Sequence, residues 1–261
     1  MTATTIAAPA ARRRSAMTQL VITEMKLFTR GRAMLALVLS AGIPLLLIVI
    51  FGGIHSFNTP VSKYGGLTTL DVYVPILLVF AIALLCLVSM PATLATYREL
   101  GYLRRLKSTP AGPLRVLVAE LAVKLLVSVV IVIVILAVAR GGYGVAAPRQ
   151  AGGFLVAGVL AVAALMAVGL FVSAVAPTAG AARGIGAVLL YLMMFFAGLW
   201  LPIQNMPSVL QHISHATPLG AAVPALQNAT QGQWPTWLQL VTMGAYAVAF
   251  ALAAARFFRW E

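Results

Sequence analysis

Residues 72–96 read VYVPILLVFAIALLCLVSMPATLAT, a run without one charged side chain. A helix needs roughly 20 apolar residues to cross the hydrocarbon core of a bilayer, so this run predicts a membrane-spanning helix. The rest of the chain agrees, because 62% of its 261 residues are hydrophobic and only 9% are charged, whereas a typical soluble domain has about 25% charged residues. The composition predicts an all-α integral membrane protein.

Four other charge-free segments are long enough to span a bilayer, and a further one is apolar apart from Glu120 and Lys124 near its start. The sequence therefore predicts six transmembrane helices, at 33–54, 72–96, 116–139, 151–176, 185–203 and 237–255. We expect residues 17–261 to form one transmembrane domain and residues 1–16 to be a disordered tail, with Met17 as a second candidate start.

The basic residues predict the orientation of these spans. Fifteen of the 18 Lys and Arg residues fall at one end of the six spans, and Lys63, Arg140 and Arg149 fall at the other. The positive-inside rule then places both termini of a multi-pass protein in the cytoplasm. The net charge of +13 follows this topology, so we expect a lipid bilayer and no nucleic acid as partner.

An amphipathic helix is predicted at 17–28, before the first span. Its apolar residues share one broad face: Met17, Leu20, Val21, Met25, Leu27 and Phe28. Lys26 and Arg30 lie opposite, which is typical of a helix in the membrane interface. Glu24 falls inside the apolar stripe, where an unpaired carboxylate is costly, so we expect a basic partner for it. The alternative is that Glu24 reaches water.

The long segment 204–236 predicts two short helices between the fifth and sixth spans. Pro207 suits a helix start, and apolar residues recur at helical spacing after it, whereas a second apolar segment, 219–226, follows Pro218. The two could form a re-entrant pair, which is tolerated at membrane depth only when packed on protein. Tryptophans bracket the segment as in an aromatic belt: Trp200, Trp234 and Trp237.

Motifs for covalent chemistry or nucleotide binding are absent from the sequence. It has no GxxxxGK[ST] phosphate-binding loop, no HExxH and no GxSxG. His212 and His215 could share a metal at helical spacing, but no carboxylate or thiol is near them in sequence, so a polar helix face is the better interpretation. Cys86 is expected to be a buried structural thiol. We therefore expect no catalytic residue, metal or cofactor on this chain.

Glu120 and Lys124 are spaced to form an i,i+4 ion pair. Ionisable residues at membrane depth suggest function, so a structural pair, a role in gating or coupling, and a proton relay are all considered. Asp71 precedes the second span, where a carboxylate stabilises the helix dipole. A run of methionine and aromatic side chains in the fifth span could line a substrate path, because such side chains adapt to varied apolar ligands. The alternative is ordinary helix packing. The run consists of Met193, Met194, Phe195, Phe196 and Trp200.

Residues 97–116, YRELGYLRRLKSTPAGPLRV, resemble the segment after the second span in type-2 ABC exporter permeases. That family has an acidic residue, a glycine, a basic-leucine run, Thr-Pro and a further proline; here Glu99, Gly101, LRRLKSTP ending at Pro110, and Pro113 match. Residues 198–226, GLWLPIQNMPSVLQHISHATPLGAAVPAL, resemble the family's pattern after the fifth span. The chain is most similar to drug- and antibiotic-exporting permeases of the daunorubicin-resistance kind.

The resemblance implies partners and a coupling helix. Two cytoplasmic ATPase subunits would bind ATP and Mg and would join two permease chains, either a homodimer or a pair of related permeases. Leucines would seat in a groove of the ATPase and basic residues would contact its acidic rim, from a helix that includes Glu99, Leu100, Gly101, Leu103, Arg104, Arg105, Leu106 and Lys107. The alternative is that these basic residues contact only lipid head groups.

The resemblance therefore predicts the permease subunit of an ATP-driven exporter in a bacterial plasma membrane, with a drug, an antibiotic, a lipid or another amphiphile as substrate. The alternative is an ATP-independent secondary transporter, which would need an ionisable residue at the centre of a span for ion coupling. A membrane-embedded enzyme would need clustered His, Asp or Glu residues, whereas the five acids are scattered.

Overall fold

The computed structural model describes residues 32–61, 66–102, 105, 112–201 and 203–257. The interfacial helix predicted at 17–28, with Glu24, Lys26 and Arg30, lies outside these residues. The main elements are eight helices, and no strand occurs within the described ranges: α1 Arg32–Gly53, α2 Thr69–Glu99, α3 Gly112–Tyr143, α4 Ala151–Val175, α5 Ala179–Phe196, α6 Ser208–Ala216, α7 Pro218–Thr230 and α8 Trp237–Phe257.

Five of these helices are long and apolar enough to cross a membrane, namely α2, α3, α4, α5 and α8. They correspond to five of the six predicted spans. The first predicted span corresponds to α1, whose apolar part over 38–53 is shorter in the described residues. The chain is thus an all-helical, multi-pass membrane protein.

The fifth predicted span differs from the structure, because α5 occupies Ala179–Phe196 and not 185–203. The prediction started after Arg183, but the helix begins where the Thr178 side chain accepts a hydrogen bond from the N–H of Ala181 at 3.1 Å. It ends before Gly198, whose φ of +89° is the left-handed conformation that commonly terminates helices. A single exposed arginine in the first turns does not stop a helix.

Helix α2 lies at the centre of the protein. Its first turn is a capping box, in which Thr68 accepts from the N–H of Asp71 at 3.1 Å and Asp71 accepts from the N–H of Thr68 at 2.9 Å. This confirms the predicted position of Asp71 at a helix N-terminus. Within α2, residues Leu84–Ser89 form a π-helical segment between two α-helical parts, and nearly every residue from Leu70 to Met90 is buried.

Helices α1, α3, α4, α5 and α7 pack against α2. Helix α8 packs along α4, where the Phe171 and Phe250 rings meet edge-on with centroids 5.4 Å apart. Gly52 of α1 lies against the ring of Tyr143 of α3, which leaves no room for a larger side chain. Helices α5 and α8 keep most of their surface exposed, so they can meet lipid or another chain.

The helix bundle has two ends, and different elements meet at each of them. The paired-helix end holds α6 and α7, which meet at Thr217, whose side chain accepts from the N–H of Gly220 at 3.1 Å. The two short helices and their junction are as predicted, and their depth in a membrane stays a prediction. Gln227 of α7 donates to the carbonyl of Val72 at 3.0 Å, which ties the pair to the start of α2. The clamp end is opposite and holds the end of α2 and the α4–α5 turn.

Candidate functional site

The chain turns sharply after α2. Gly101 has a φ of +63°, which a residue with a side chain adopts only with strain, and its N–H donates to the carbonyl of Arg98 at 2.9 Å. The N–H of Arg105 donates to the carbonyl of Gly101 at 3.1 Å, which is a helical i,i+4 bond. Tyr102 and Arg105 are helical, at the place where the coupling helix is predicted.

Arg98 and Glu99 hold the last turn of α2 against the α4–α5 turn, and we call these two residues the clamp. Arg98 donates from Nη1 to the carbonyl of Ser173 at 3.1 Å and from Nη2 to the carbonyl of Ala176. The carboxylate of Glu99 accepts from the N–H of Ala179 at 2.8 Å. Each contact satisfies a backbone group that a helix end leaves without a partner, and each charge has the sign that the helix dipole favours.

Beside the clamp, Leu100 exposes 64% of its surface, and Arg105 donates to the carbonyl of Leu100 at 2.8 Å. Of the predicted coupling helix, Glu99, Leu100, Gly101 and Arg105 are therefore placed at the clamp end. The remaining predicted residues lie outside the described part of the chain: Leu103, Arg104, Leu106 and Lys107.

The predicted pair of Glu120 and Lys124 is an ion pair in α3, with Glu120 Oε1 3.3 Å from Lys124 Nζ and side chains 3% and 0% exposed. Lys124 Nζ also lies 3.4 Å from Ser89 Oγ, in the π-helical segment of α2. A buried charge without its partner would cost several kcal/mol, so the pair is constrained to stay together. It joins α3 to the centre of α2.

Lys124 lies twelve residues into a helix of 32 residues, about 18 Å along its axis. The pair is therefore in the first half of α3, nearer to the clamp end than to the paired-helix end. Its role as a structural pair or in gating or coupling stays a prediction.

The π-helical segment of α2 is contacted by glycines of two neighbouring helices. Gly169 of α4 lies against the carbonyl of Cys86, and Gly186 of α5 lies against the carbonyl of Leu87, so closely that a Cβ atom at either glycine would overlap the oxygen. Small residues allow such close helix approaches in membranes, and π-helical segments are frequent at functional sites.

A family model described as "ABC-2 type transporter" matches residues 16–230, which is most of the chain. The chain belongs to the ABC-2 type transporter family. A search of curated proteins found no match. Membership identifies an ABC transporter membrane component and implies association with an ABC ATPase subunit and a membrane. The clamp, the ion pair and the π-helical segment all lie inside the matched residues, whereas α8 lies beyond them.

In this ABC-2 type transporter the predicted aromatic run does not share one face. Met194 is fully buried, whereas Phe195 exposes 36% and Trp200 exposes 56% of its surface. Met193 and Phe196 are half-buried. The exposed large apolar residues of α5 instead form a stripe at helical spacing, which we call the α5 stripe: Ile185, Val188, Tyr191, Leu192 and Phe195. The substrate path thus stays a prediction. Of its predicted residues, Phe195 is exposed on the surface of the protein, whereas Met194 is buried in the core.

His212 and His215, which are spaced to share a metal but were assigned to a polar helix face, both lie in α6. His212 is bonded to the carbonyl of Ser208 at 2.7 Å, and among the described residues no group of three His, Cys, Asp or Glu residues comes together. The exposed position of His212 fits the interpretation that it belongs to the polar face of α6.

Several residues that make these contacts were not singled out from the sequence, namely Arg98, Ser89, Gly169 and Gly186. Arg98 was counted only as a topological charge. Thr178 carries a readable signal, since a threonine just before an apolar helix is a favoured N-cap. The glycine contacts carry no local signal, because they depend on which helices meet.

Proposed function

We propose that this ABC-2 type transporter is the permease subunit of an ATP-driven exporter of a drug, an antibiotic, a lipid or another amphiphile. It acts with two copies of a cytoplasmic ATPase, which bind ATP and Mg, and with a second permease chain, identical or related. The clamp end faces the cytoplasm of a bacterial plasma membrane, and the paired-helix end faces out.

The clamp is the observation that supports ATP-driven coupling. The residues that end α2 also hold the last carbonyls of α4 and the first N–H of α5. A displacement of the segment that follows Gly101 would therefore be passed to three spans together. An ATPase docked on this segment could move those spans as a unit, which is a rigid-body mode of conformational change.

The distribution of arginines supports the proposed orientation. In the described residues the clamp end carries Arg98, Arg105, Arg115, Arg183 and Arg256, whereas the paired-helix end carries Arg140 and Arg149. Basic residues accumulate in cytoplasmic loops, so the exposed Leu100 would face an ATPase from the cytoplasm.

The α5 stripe supports a second permease chain. A helix that packs on its own protein along one side and exposes an apolar stripe on the other can face lipid or a partner. We assign the stripe to the substrate path between two permease chains, with Phe195 facing the path. The ion pair of Glu120 and Lys124 would hold α3 on α2 during the transport cycle.

Copurification tests the proposal. Leu100→Asp should reduce the amount of ABC ATPase that copurifies from native membranes, because it places a charge on an exposed apolar contact. Val209→Asp is the matched control, since Val209 is 68% exposed at the paired-helix end. Equal ATPase recovery with wild type and both variants would contradict docking beside the clamp, and transport in liposomes by the purified chain with only an ion gradient would favour a secondary transporter.

A further inference from the structure

A cavity of about 290 Å³ opens at the paired-helix end, between the start of α2, the end of α5, and helices α6 and α7. Its volume is close to the lower limit of small-molecule pockets, about 300 Å³. The polar residues of its lining are Tyr73, Gln211, His215, Gln227, Asn228 and Gln231, and apolar residues such as Ile76 and Val223 complete it. None of these polar groups has a role in the clamp or the ion pair.

The amide groups of the lining are fixed by their own hydrogen bonds. Gln211 donates from Nε2 to the carbonyl of Met206 at 2.8 Å, and Gln227 donates from Nε2 to the carbonyl of Val72 at 3.0 Å. Asn228 donates from Nδ2 to Gln239 Oε1 at 3.4 Å. These bonds assign the oxygen and nitrogen of each amide and commit one N–H of each, which leaves their carbonyl oxygens as acceptors for a ligand.

The charge of the lining limits the class of ligand. Among the described residues that line the cavity there is no aspartate, glutamate, lysine or arginine. A buried ammonium group would lack a carboxylate and a phosphate would lack a lysine or an arginine, and either charge is costly to desolvate without a partner. Hydroxyl groups remain, because they donate to amide oxygens and bring no charge.

We propose that this cavity binds an uncharged group with several hydroxyls, such as a sugar ring. The amide oxygens of Gln211, Gln227 and Asn228 accept from its hydroxyls, the amide of Gln231 forms a further hydrogen bond with it, and the apolar lining covers its C–H surface. The group could come from the head of a glycolipid or from a soluble glycoside. The inference does not need an ATPase, so it stands apart from the proposed function.

Ligand-detected NMR tests the proposal on the full chain in phosphatidylcholine nanodiscs. Saturation transfer to methyl β-glucoside is expected with wild type and not with choline. Gln231→Leu and Gln227→Leu should weaken glucoside binding about three- to tenfold, as expected for the loss of a hydrogen bond of 0.5–1.5 kcal/mol. Gln231 is an exposed residue with no side-chain bond shown to the described residues, so its replacement leaves the fold intact.

Gln233→Leu is the matched control, because Gln233 is equally exposed two residues away and does not line the cavity. It should bind methyl β-glucoside as wild type does. No transfer with wild type, equal transfer with wild type and both lining variants, or stronger transfer to choline would overturn the proposal. None of these results would bear on ATPase docking, which is at the opposite end.

A second arm distinguishes the two sources of the ligand. Nanodiscs that contain a monoglucosyl diacylglycerol are titrated with the same glucoside. Loss of the transfer signal would show that a lipid head group occupies the cavity, and a retained signal would show that the group enters from water. Either result supports the proposed chemical class of the ligand and differs only in the source from which it comes.

Discussion

The carboxylate of Glu99 accepts a hydrogen bond from the N–H of Ala179 at 2.8 Å, across 80 residues of sequence. Glu99 is the last residue of α2 and Ala179 is the first residue of α5. The same bond therefore ends one span and starts another, beside the segment on which the ATPase is proposed to dock. Its removal should weaken the link between the two spans and leave each helix in place.

Glu99→Ala should lower the ATP hydrolysis of the copurified complex about fivefold, with unchanged ATPase association. The estimate follows from the loss of a helix-capping bond, which typically costs about 1 kcal/mol. Thr178→Ala is the control, since the Thr178 side chain caps the same helix through Ala181 and forms no hydrogen bond with the described residues of α2. Both variants should lose similar stability, and only Glu99→Ala should lose activity. Equal activity of the two variants would refute the coupling role of Glu99.

Arg98→Lys should also reduce the activity of the complex, although it keeps the charge. A guanidinium group donates in two fixed directions, which reach the carbonyls of Ser173 and Ala176, whereas an ammonium group acts as a point charge. Arg183→Lys, at an exposed site of the same end, should have no effect on ATP hydrolysis. Full activity of Arg98→Lys would show that charge alone suffices at this position.

The pair of Glu120 and Lys124 can be tested by a double-mutant cycle. Lys124→Met leaves Glu120 as a buried charge and should reduce the free energy of unfolding by about 3–5 kcal/mol. The double variant with Glu120→Gln should be more stable than the sum of the two single losses predicts, because no buried charge remains unpaired. Unfolding in mixed micelles measures these values, and additive losses would mean that the two groups do not interact.

Alanine at Gly169 or Gly186 should destabilise the protein by about 1–3 kcal/mol or more, because a Cβ atom would overlap a carbonyl oxygen of the π-helical segment. Gly158→Ala and Gly184→Ala are controls in open space, where alanine should be neutral or stabilising by up to about 1 kcal/mol. Thermal unfolding in detergent compares the four variants. A stable Gly186→Ala protein would argue against close packing of α5 on α2.

Local patterns in the sequence predicted most of the helices. The apolar runs gave the candidate spans, the position of Asp71 was recognised from its place before a span, and Pro218 marked the junction between α6 and α7. These features depend on residues within a few positions of one another. The limits of α5 were wrong because Arg183 was interpreted as a loop residue, although a side chain in the first turns can reach the interface.

The candidate site could be predicted only in part. Glu99 and Gly101 came from the family resemblance, and the spacing of Glu120 and Lys124 indicated an ion pair. The contacts of the clamp join residues about 80 positions apart, and those of Gly169 and Gly186 depend on how three helices pack. Such contacts depend on how the helices pack in three dimensions, so the helical periodicity of the sequence cannot predict them.

Site-directed cross-linking at Leu100 tests ATPase docking beside the clamp most directly. Cys86, the only cysteine of the chain, is fully buried, so Leu100→Cys and Val209→Cys each add one accessible thiol for a photoactivatable maleimide. In native membranes we expect an adduct with an ABC ATPase from Leu100→Cys and none from Val209→Cys. An ATPase adduct from Val209→Cys alone, or from neither variant under conditions in which both are fully labelled, would contradict this docking.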